Sequence, residues 1–289
     1  MNATVPQETS KEIVHVGAET PVEDMLAIYR RDGALIVDGL ADEDTVATLR
    51  AQLRGPLERA GTHEGFLGGR TARAGALIAE VPACRPLVIH PVILDLLTGI
   101  FGRLSRVQVT ATQAIAVHPG EPDQMLHRDR WVWRALPLAP DYECVVNCIW
   151  AIDNFTASAG ATRIVPRSRD LPDPQDIRGD EDGELVLPDG TTVSSYGTVP
   201  AEMSPGAVVI YGGTTYHGAG GNNTDLPRVG MALAYAANVL RQEENQYLVV
   251  PPEVARELPE TLQKLVGYEL SHYALGFVNG MQSPMTLLR

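Results

Sequence analysis

The chain has 289 residues, enough to bury a large core, and 44% are hydrophobic, yet no apolar run approaches the roughly 20 residues that span a bilayer. With 36 acidic against 23 basic residues the formal charge is -13, which disfavours nucleic acid and anionic membrane surfaces and leaves a small molecule as the expected partner. The three cysteines, Cys84, Cys144 and Cys148, are odd in number and lack CxxC spacing, so buried free thiols are expected, not a disulfide framework or a zinc knuckle.

The opening MNATVPQETSKEIVHVG lacks the basic-then-apolar order of a signal peptide. It is expected to be a flexible tail over residues 1–17 of a cytoplasmic protein. Thr20-Pro21-Val22-Glu23 predicts a helix start, with Thr20 as cap and Pro21 in the first turn, and Asp32-Gly33 predicts its end. GALIVDGL predicts a strand. In ADEDTVATLRAQLRGPLERAG, Val46, Leu49, Leu53 and Leu57 recur at helical spacing, with Pro56 as a kink or an end, and HPVILDLLTGIFG predicts a further amphipathic helix.

From Val107 the texture changes. VQVTATQAIAV, CVVNCIWAI, TRIVP, GAVVIYG and RVGMALAYAANVL are alternating or solidly apolar runs separated by Gly, Pro and Asn, and they predict strands of a sandwich or barrel. A last helical stretch follows in PPEVARELPETLQKLVGYEL. The expected architecture is an all-β core with flanking helices, forming a single domain over residues 18–289. The segment 170–193 is irregular in composition and carries eight acids, and it reads either as a solvated loop or as a lid over a site.

Chemistry concentrates in QMLHRDRWVWR, from Gln124 to Arg134. On a strand, residues i and i+2 share a face, so His127 and Asp129 would aim together at one point while Arg128 and Arg130 face away. Trp131 and Trp133 have the same parity as the pair. They would either wall a pocket or, the commoner use of a buried tryptophan, fill the core. Of the seven histidines, His217 in GAVVIYGGTTYHGAG is the best-placed third ligand, because a β run ends there in a Gly-rich turn. Two histidines and one carboxylate make the facial triad of non-haem Fe(II) oxygenases, which leaves metal positions open. Arg228, eleven residues beyond His217 at the head of the next β run, is suited to hold the far carboxylate of a dicarboxylic co-substrate through two parallel hydrogen bonds.

The set Gln124-Met-Leu-His127-Arg-Asp129, Gly160-Ala-Thr162-Arg-Ile-Val-Pro166 and Tyr216-His217-Gly-Ala-Gly with Arg228 resembles the phytanoyl-CoA dioxygenase family, and within it the natural-product branch that includes fungal meroterpenoid and alkaloid oxygenases. The resemblance implies a double-stranded β-helix, a cupin-like jelly roll whose mouth holds iron. It implies His127, Asp129 and His217 as Fe(II) ligands, and Gln124, Thr162 and Arg228 as contacts of the co-substrate 2-oxoglutarate. Arg73, in GRTAR, matches an upstream arginine of the branch. The implied reaction consumes O2 and 2-oxoglutarate, releases succinate and CO2, and oxidises a C–H bond, by hydroxylation unless the radical meets another fate. A homodimer is also implied.

Pro166-Arg167-Ser168-Arg169 stands where the family usually has PGSH, so the loop leading to the acidic segment is unusual. Asp129 argues for oxygenation, since related halogenases replace this carboxylate by a small residue to admit a halide. The acidic surface disfavours a polyanionic CoA thioester and leaves a largely apolar metabolite as the expected substrate. Two other readings stay open: an acyl-CoA or other lipid hydroxylase of the same family, and a jelly-roll hydrolase or metal-binding module using the same three ligands.

Overall fold

The computed structural model describes residues 12–62, 65–102, 106–180 and 183–289. The chain begins with β1 (His15–Gly17), α1 (Val22–Asp32), β2 (Ala34–Asp38) and α2 (Glu43–Ala60). β3 (Thr71–Ala74), the short α3 (Leu77–Glu80) and α4 (Arg85–Val88), and α5 (Pro91–Phe101) follow. The strand-rich half contains β4 (Val107–Val117), β5 (Val145–Ala151), β6 (Arg163–Ile164), β7 (Val199–Pro200), β8 (Val208–Gly212), β9 (His217–Gly218) and β10 (Arg228–Ala237). Three short helices, α6 (Gln246–Val249), α7 (Pro252–Ala255) and α8 (Glu260–Val266), lie beyond it.

Seven strands form one sheet in the order β1-β2-β8-β5-β10-β4-β3, and β7-β6-β9 form a smaller one. Together they make a jelly roll, as expected. The two faces of β10 differ in residue size, and this decides where the site lies. Met231, Leu233 and Tyr235 of β10, with Val146, Cys148 and Trp150 of β5, face the main core, which is closed by Met25 and Tyr29 of α1, Leu49 and Leu53 of α2, and Leu96 of α5. Each such side chain contributes about 1.5–3 kcal/mol by leaving water. The alternate residues of β10, Gly230, Ala232 and Ala234, are small and face the other way. Helices cover one face; on the other, Ile36, Ile149, Phe155 and Val209 form a second core, and the cavity remains beside it along β10.

Several expectations needed correction. Only residues 1–11 of the expected tail lie outside the described residues; beyond them His15–Gly17 pairs in parallel with β2, and Ile13 is buried. The physical reason is that β2 would otherwise present an unpaired edge, which β1 satisfies. Helix α1 starts at Val22, with Pro21 as its cap and no capping side chain, while Gly33 at a φ of 80° closes it by donating to the Tyr29 carbonyl. Asp42 caps α2 by accepting from the Thr45 amide at 2.8 Å. Pro56 does not end that helix, because the turn beyond it keeps Leu57 and Ala60 against the core. TRIVP contributes only a two-residue strand, and the C-terminal helical stretch is divided into α7 and α8.

The strand expected through QMLHRDRWVWR also breaks. Arg128 is extended, but a 3-10 turn begins at Asp129 and runs to Trp133, so parity is lost after the HRD triplet. Trp133 is core, packed in a cluster that includes Cys144, Val145 and Ala234, and its Nε1 donates to the Arg241 carbonyl. Trp131 packs edge-on to Tyr216 and donates to Asp173 at 2.8 Å.

Arg128 and Arg130 face away from the triad, yet both are buried. The Arg128 guanidinium lies 4.0 Å over the Tyr216 ring and donates to the carbonyls of Ser168 at 2.6 Å and Leu171 at 2.8 Å and to the Asp173 carboxylate at 2.8 Å. It thereby fastens the start of the acidic segment, whose Leu185, Leu187 and Val193 pack with Leu126, Val165 and Tyr216. All three cysteines are free and buried. Among the described residues no single helix is long and apolar enough to cross a membrane.

Arg128→Ala strips these acceptors of their donor and is expected to cost about 2–3 kcal/mol in urea unfolding, with faster proteolysis within residues 170–193. Unchanged stability and cleavage would show that the clamp contributes nothing.

Candidate functional site

The site starts from a backbone contact. His127 and His217 exchange both main-chain hydrogen bonds, N to O at 2.8 and 3.0 Å, which ties the QMLHRD segment to β9 as an added strand of the small sheet. A directly opposed pair on antiparallel strands presents its side chains on the same face. The two imidazoles accordingly lie side by side, ring centres 4.3 Å apart.

Each ring is oriented by its own chain. His127 Nδ1 lies 3.0 Å from the Met125 carbonyl and His217 Nδ1 lies 3.1 Å from the Thr215 carbonyl. A carbonyl only accepts, so Nδ1 carries the proton and Nε2 presents its lone pair. Both Nε2 atoms point at Asp129, at 3.4 Å from Oδ1 for His127 and 3.3 Å from Oδ2 for His217. One ligand atom from each of the three residues falls within 4.8 Å of the others, a group able to hold a metal ion. Burial pulls His217 down to about 4 against the opposing charge of Asp129, so the imidazole is neutral at pH 7. Burial pushes the Asp129 carboxyl up, but His217, His127 and the Asn147 amide outweigh it and hold it at about 2. Neutral imidazoles and an ionised carboxylate are the forms that bind a divalent cation.

Phe66 meets His127 edge-on at 4.8 Å and Tyr211 lies 4.4 Å from the His217 ring. Asn147 of β5 donates to Asp129 Oδ2 at 2.7 Å, which sets the orientation of the carboxylate. Sequence reasoning missed Asn147, although a lone amide in the apolar run CVVNCIWAI is a signal that could have flagged it.

The triad opens into a cavity of about 220 Å³ that all four remaining predicted residues line: Gln124, Thr162, Arg228 and Arg73. Arg228, at the head of β10, is buried, stacks 4.1 Å over the Phe155 ring and donates to the Gly160 carbonyl. Gly160 has a φ of 83°, and a Cβ there would lie 2.6 Å from the Gly220 carbonyl, so GATR needs its glycine for this approach. Burial and the charge of Arg73 lower Arg228 to about 9, still a cation at neutral pH. Its Nε is buried without a partner among the described residues. Thr162 is buried and no hydrogen bond engages its hydroxyl among the described residues. Gln124 accepts from the Ala219 amide at 3.0 Å and donates to the Phe66 carbonyl at 3.1 Å, leaving one amide N–H. Arg73 on β3 donates to the Leu67 carbonyl and to Gln113. Two cations and an unpartnered donor facing one cavity fit a dicarboxylate.

Phe66 and Leu67, 51% and 43% exposed, form an apolar part of the wall. No described residue between 170 and 193 lines it, nor do Trp131 and Trp133. Glu243, which the sequence did not single out, does.

Comparison with known proteins places the chain in a family. The family model for phytanoyl-CoA dioxygenase (PhyH) covers residues 29–230. A multifunctional dioxygenase, ausE, of Aspergillus calidoustus is 31% identical over 270 residues, covering 88% of this chain and 86% of its own. The dioxygenase FUM3 of Gibberella moniliformis is 28% identical, with 91% of this chain and 88% of its own covered. Among solved structures, the epimerase SnoN in complex with Fe3+, alpha ketoglutarate and nogalamycin RO superposes with a TM-score of 0.63 at 24% identity, over 83% of this chain and 91% of that one, a likeness of fold. With its matched span, its curated relatives and its jelly-roll scaffold in agreement, the chain belongs to the phytanoyl-CoA dioxygenase (PhyH) family.

Proposed function

We propose that this protein is an Fe(II)- and 2-oxoglutarate-dependent dioxygenase that oxidises a largely apolar small molecule in natural-product biosynthesis. The observation that carries the reading is the meeting, in one cavity, of the His127-Asp129-His217 group with the buried, incompletely paired Arg228. A hydrolase or a structural metal site needs the triad but has no use for a buried guanidinium beside it. The curated dioxygenases with which the chain aligns over most of its length support the same class of reaction.

In this reading His127 Nε2, His217 Nε2 and an Asp129 oxygen hold the iron, and Asn147 keeps the carboxylate turned toward it. Arg228 takes the distal carboxylate of 2-oxoglutarate, Thr162 donates its hydroxyl beside it, and Gln124 and Arg73 complete the polar wall. Iron with 2-oxoglutarate supplies dioxygen activation, coupled to release of succinate and CO2. The protein's own work is to orient and to exclude water: Phe66 shields His127, and Tyr211 covers His217. Hydroxylation is the default product. The walls offered by Phe66, Leu67, Ile115 and Ile149 suit an apolar substrate body, and the net charge of -13 opposes the polyanionic carrier of an acyl-CoA.

Anaerobic addition of Fe(II) and 2-oxoglutarate should produce the weak visible charge-transfer band of the chelate, and a folded, metal-loaded protein without that band would overturn the reading. Asp129→Ala should weaken Fe(II) binding more than about 100-fold and abolish succinate formation while the thermal unfolding profile stays cooperative. Retained turnover would remove Asp129 from the ligand set. Arg228→Ala should raise the KM for 2-oxoglutarate on the order of 100-fold, since a two-point charge-assisted contact is worth about 3 kcal/mol, with iron affinity nearly unchanged. An unaltered KM would sink the role given to Arg228.

A further inference from the structure

Resting on the oxygenase reading, the inference concerns the end of the cavity that the co-substrate contacts leave unassigned. Arg228 stands at the head of β10, Ala232 and Ala234 follow along its cavity face, and Glu243 joins the same wall just beyond the end of the strand. The row of Ala234 is the row of Asn147, whose amide holds Asp129. Glu243, whose amide is held by Thr110 next to that row, therefore stands near the level of Asn147 and Asp129, well along β10 from Arg228.

The backbone of Glu243 is held in place. Opposite β10 the register passes from Ala234↔Ala111 to Tyr235↔Val109, so Thr110 is an extra residue, a β-bulge in β4. The bulge frees the Thr110 carbonyl from the ladder, and it accepts the Glu244 amide at 2.8 Å, while the Thr110 hydroxyl accepts the Glu243 amide at 2.9 Å. On either side, Gln242 donates to the carbonyls of Val109 and Val266, and the Glu244 carboxylate accepts from Ala76, Thr112 and Gln246. Its neighbours are spent on structure. Glu243 instead lines the cavity at its solvent-exposed mouth, and among the described residues its carboxylate makes no hydrogen bond and no ion pair; Arg73 and Arg228 are turned to Leu67, Gln113 and Gly160.

We propose that Glu243 is a specificity-determining residue whose carboxylate receives a protonated amine on an otherwise apolar substrate body. The apolar part would lie along Phe66, Leu67, Ala111 and Ala234, and a carboxylate or phosphate at the same position would meet a like charge.

The test uses the full chain, loaded anaerobically with Fe(II) and 2-oxoglutarate, and three probes that share one apolar cage: 1-adamantylamine, 1-adamantanol and 1-adamantanecarboxylate. Calorimetric titration should rank the amine at least about tenfold tighter than the alcohol, with the carboxylate weakest. In Glu243→Gln, which keeps the side-chain shape, the amine should fall to within about threefold of the alcohol while the alcohol is unmoved. Equal affinities for the three heads, including none measurable, would overturn the proposal, as would an amine preference that survives the substitution. The visible chelate band separates this from the parent reading: it should be the same in both proteins, and its absence from the unsubstituted chain would instead remove the oxygenase assignment and the substrate role with it.

Discussion

Two main-chain hydrogen bonds between His127 and His217 carry the geometry of the site. They are ordinary ladder bonds, but they join a segment from before β5 to one from after β8 and set two imidazoles on one face. Everything else near the metal group is adjusted to that pair. Carbonyls of Met125 and Thr215 choose the tautomer, Asp129 closes the triangle, and Asn147 turns the carboxylate from the opposite sheet. Because every restraint is local or buried, the ligand atoms are poised before any ion arrives.

The cavity in which this group works is a consequence of unequal side-chain size across one sheet. On the helix side, β5 and β10 present Trp150, Met231, Leu233 and Tyr235, and close packing there supplies the cohesion of the domain. On the inner side β10 presents Gly230, Ala232 and Ala234, which leave space beside it between the two sheets. The interior of a small jelly roll would otherwise be packed solid. A second core of Ile36, Ile149, Phe155, Ile164 and Val209 packs between the sheets, and the cavity lies beside it along β10.

Charge is arranged with the same economy. A chain carrying -13 overall still buries Arg128, Arg130 and Arg228, each for a different purpose. Arg128 fastens the acidic segment through carbonyls and Asp173, and Arg130 donates to the carbonyls of Ala139 and Pro140. Arg228 keeps a donor in reserve beside the cavity. Arg128 and Arg228 each leave Nε without a partner among the described residues, and what separates them is that Arg228 lines the cavity while Arg128 does not. The family's PGSH is replaced by Pro166-Arg167-Ser168-Arg169, and Ser168 serves the clamp, its carbonyl accepting from Arg128 and its hydroxyl accepting from the Tyr216 amide. Glu243, at the exposed mouth of the cavity, is a carboxylate that pairs with no cation among the described residues.

How much of this could be read from the chain depends on how far a residue's neighbours are fixed by local periodicity. The strands β2, β4, β5, β8 and β10, the helices α2 and α5, and the pairing of His127 with Asp129 on one side all follow from spacing within a single element. Arg228 was legible because a cation at the head of an apolar strand has little reason to be there unless something holds it. Parity arguments end where the backbone leaves the element: the 3-10 turn at Asp129 keeps Trp131 and Trp133 out of the cavity wall, and the bulge at Thr110 brings Glu243 toward it. Residues 15–17 read as a tail because their partner, β2, lies elsewhere in the chain. The sequence by itself determined the ligands' chemistry and the strands that carry them. Only the tertiary structure decided which polar groups find partners and which are left facing the cavity, because that depends on contacts between segments distant in the chain.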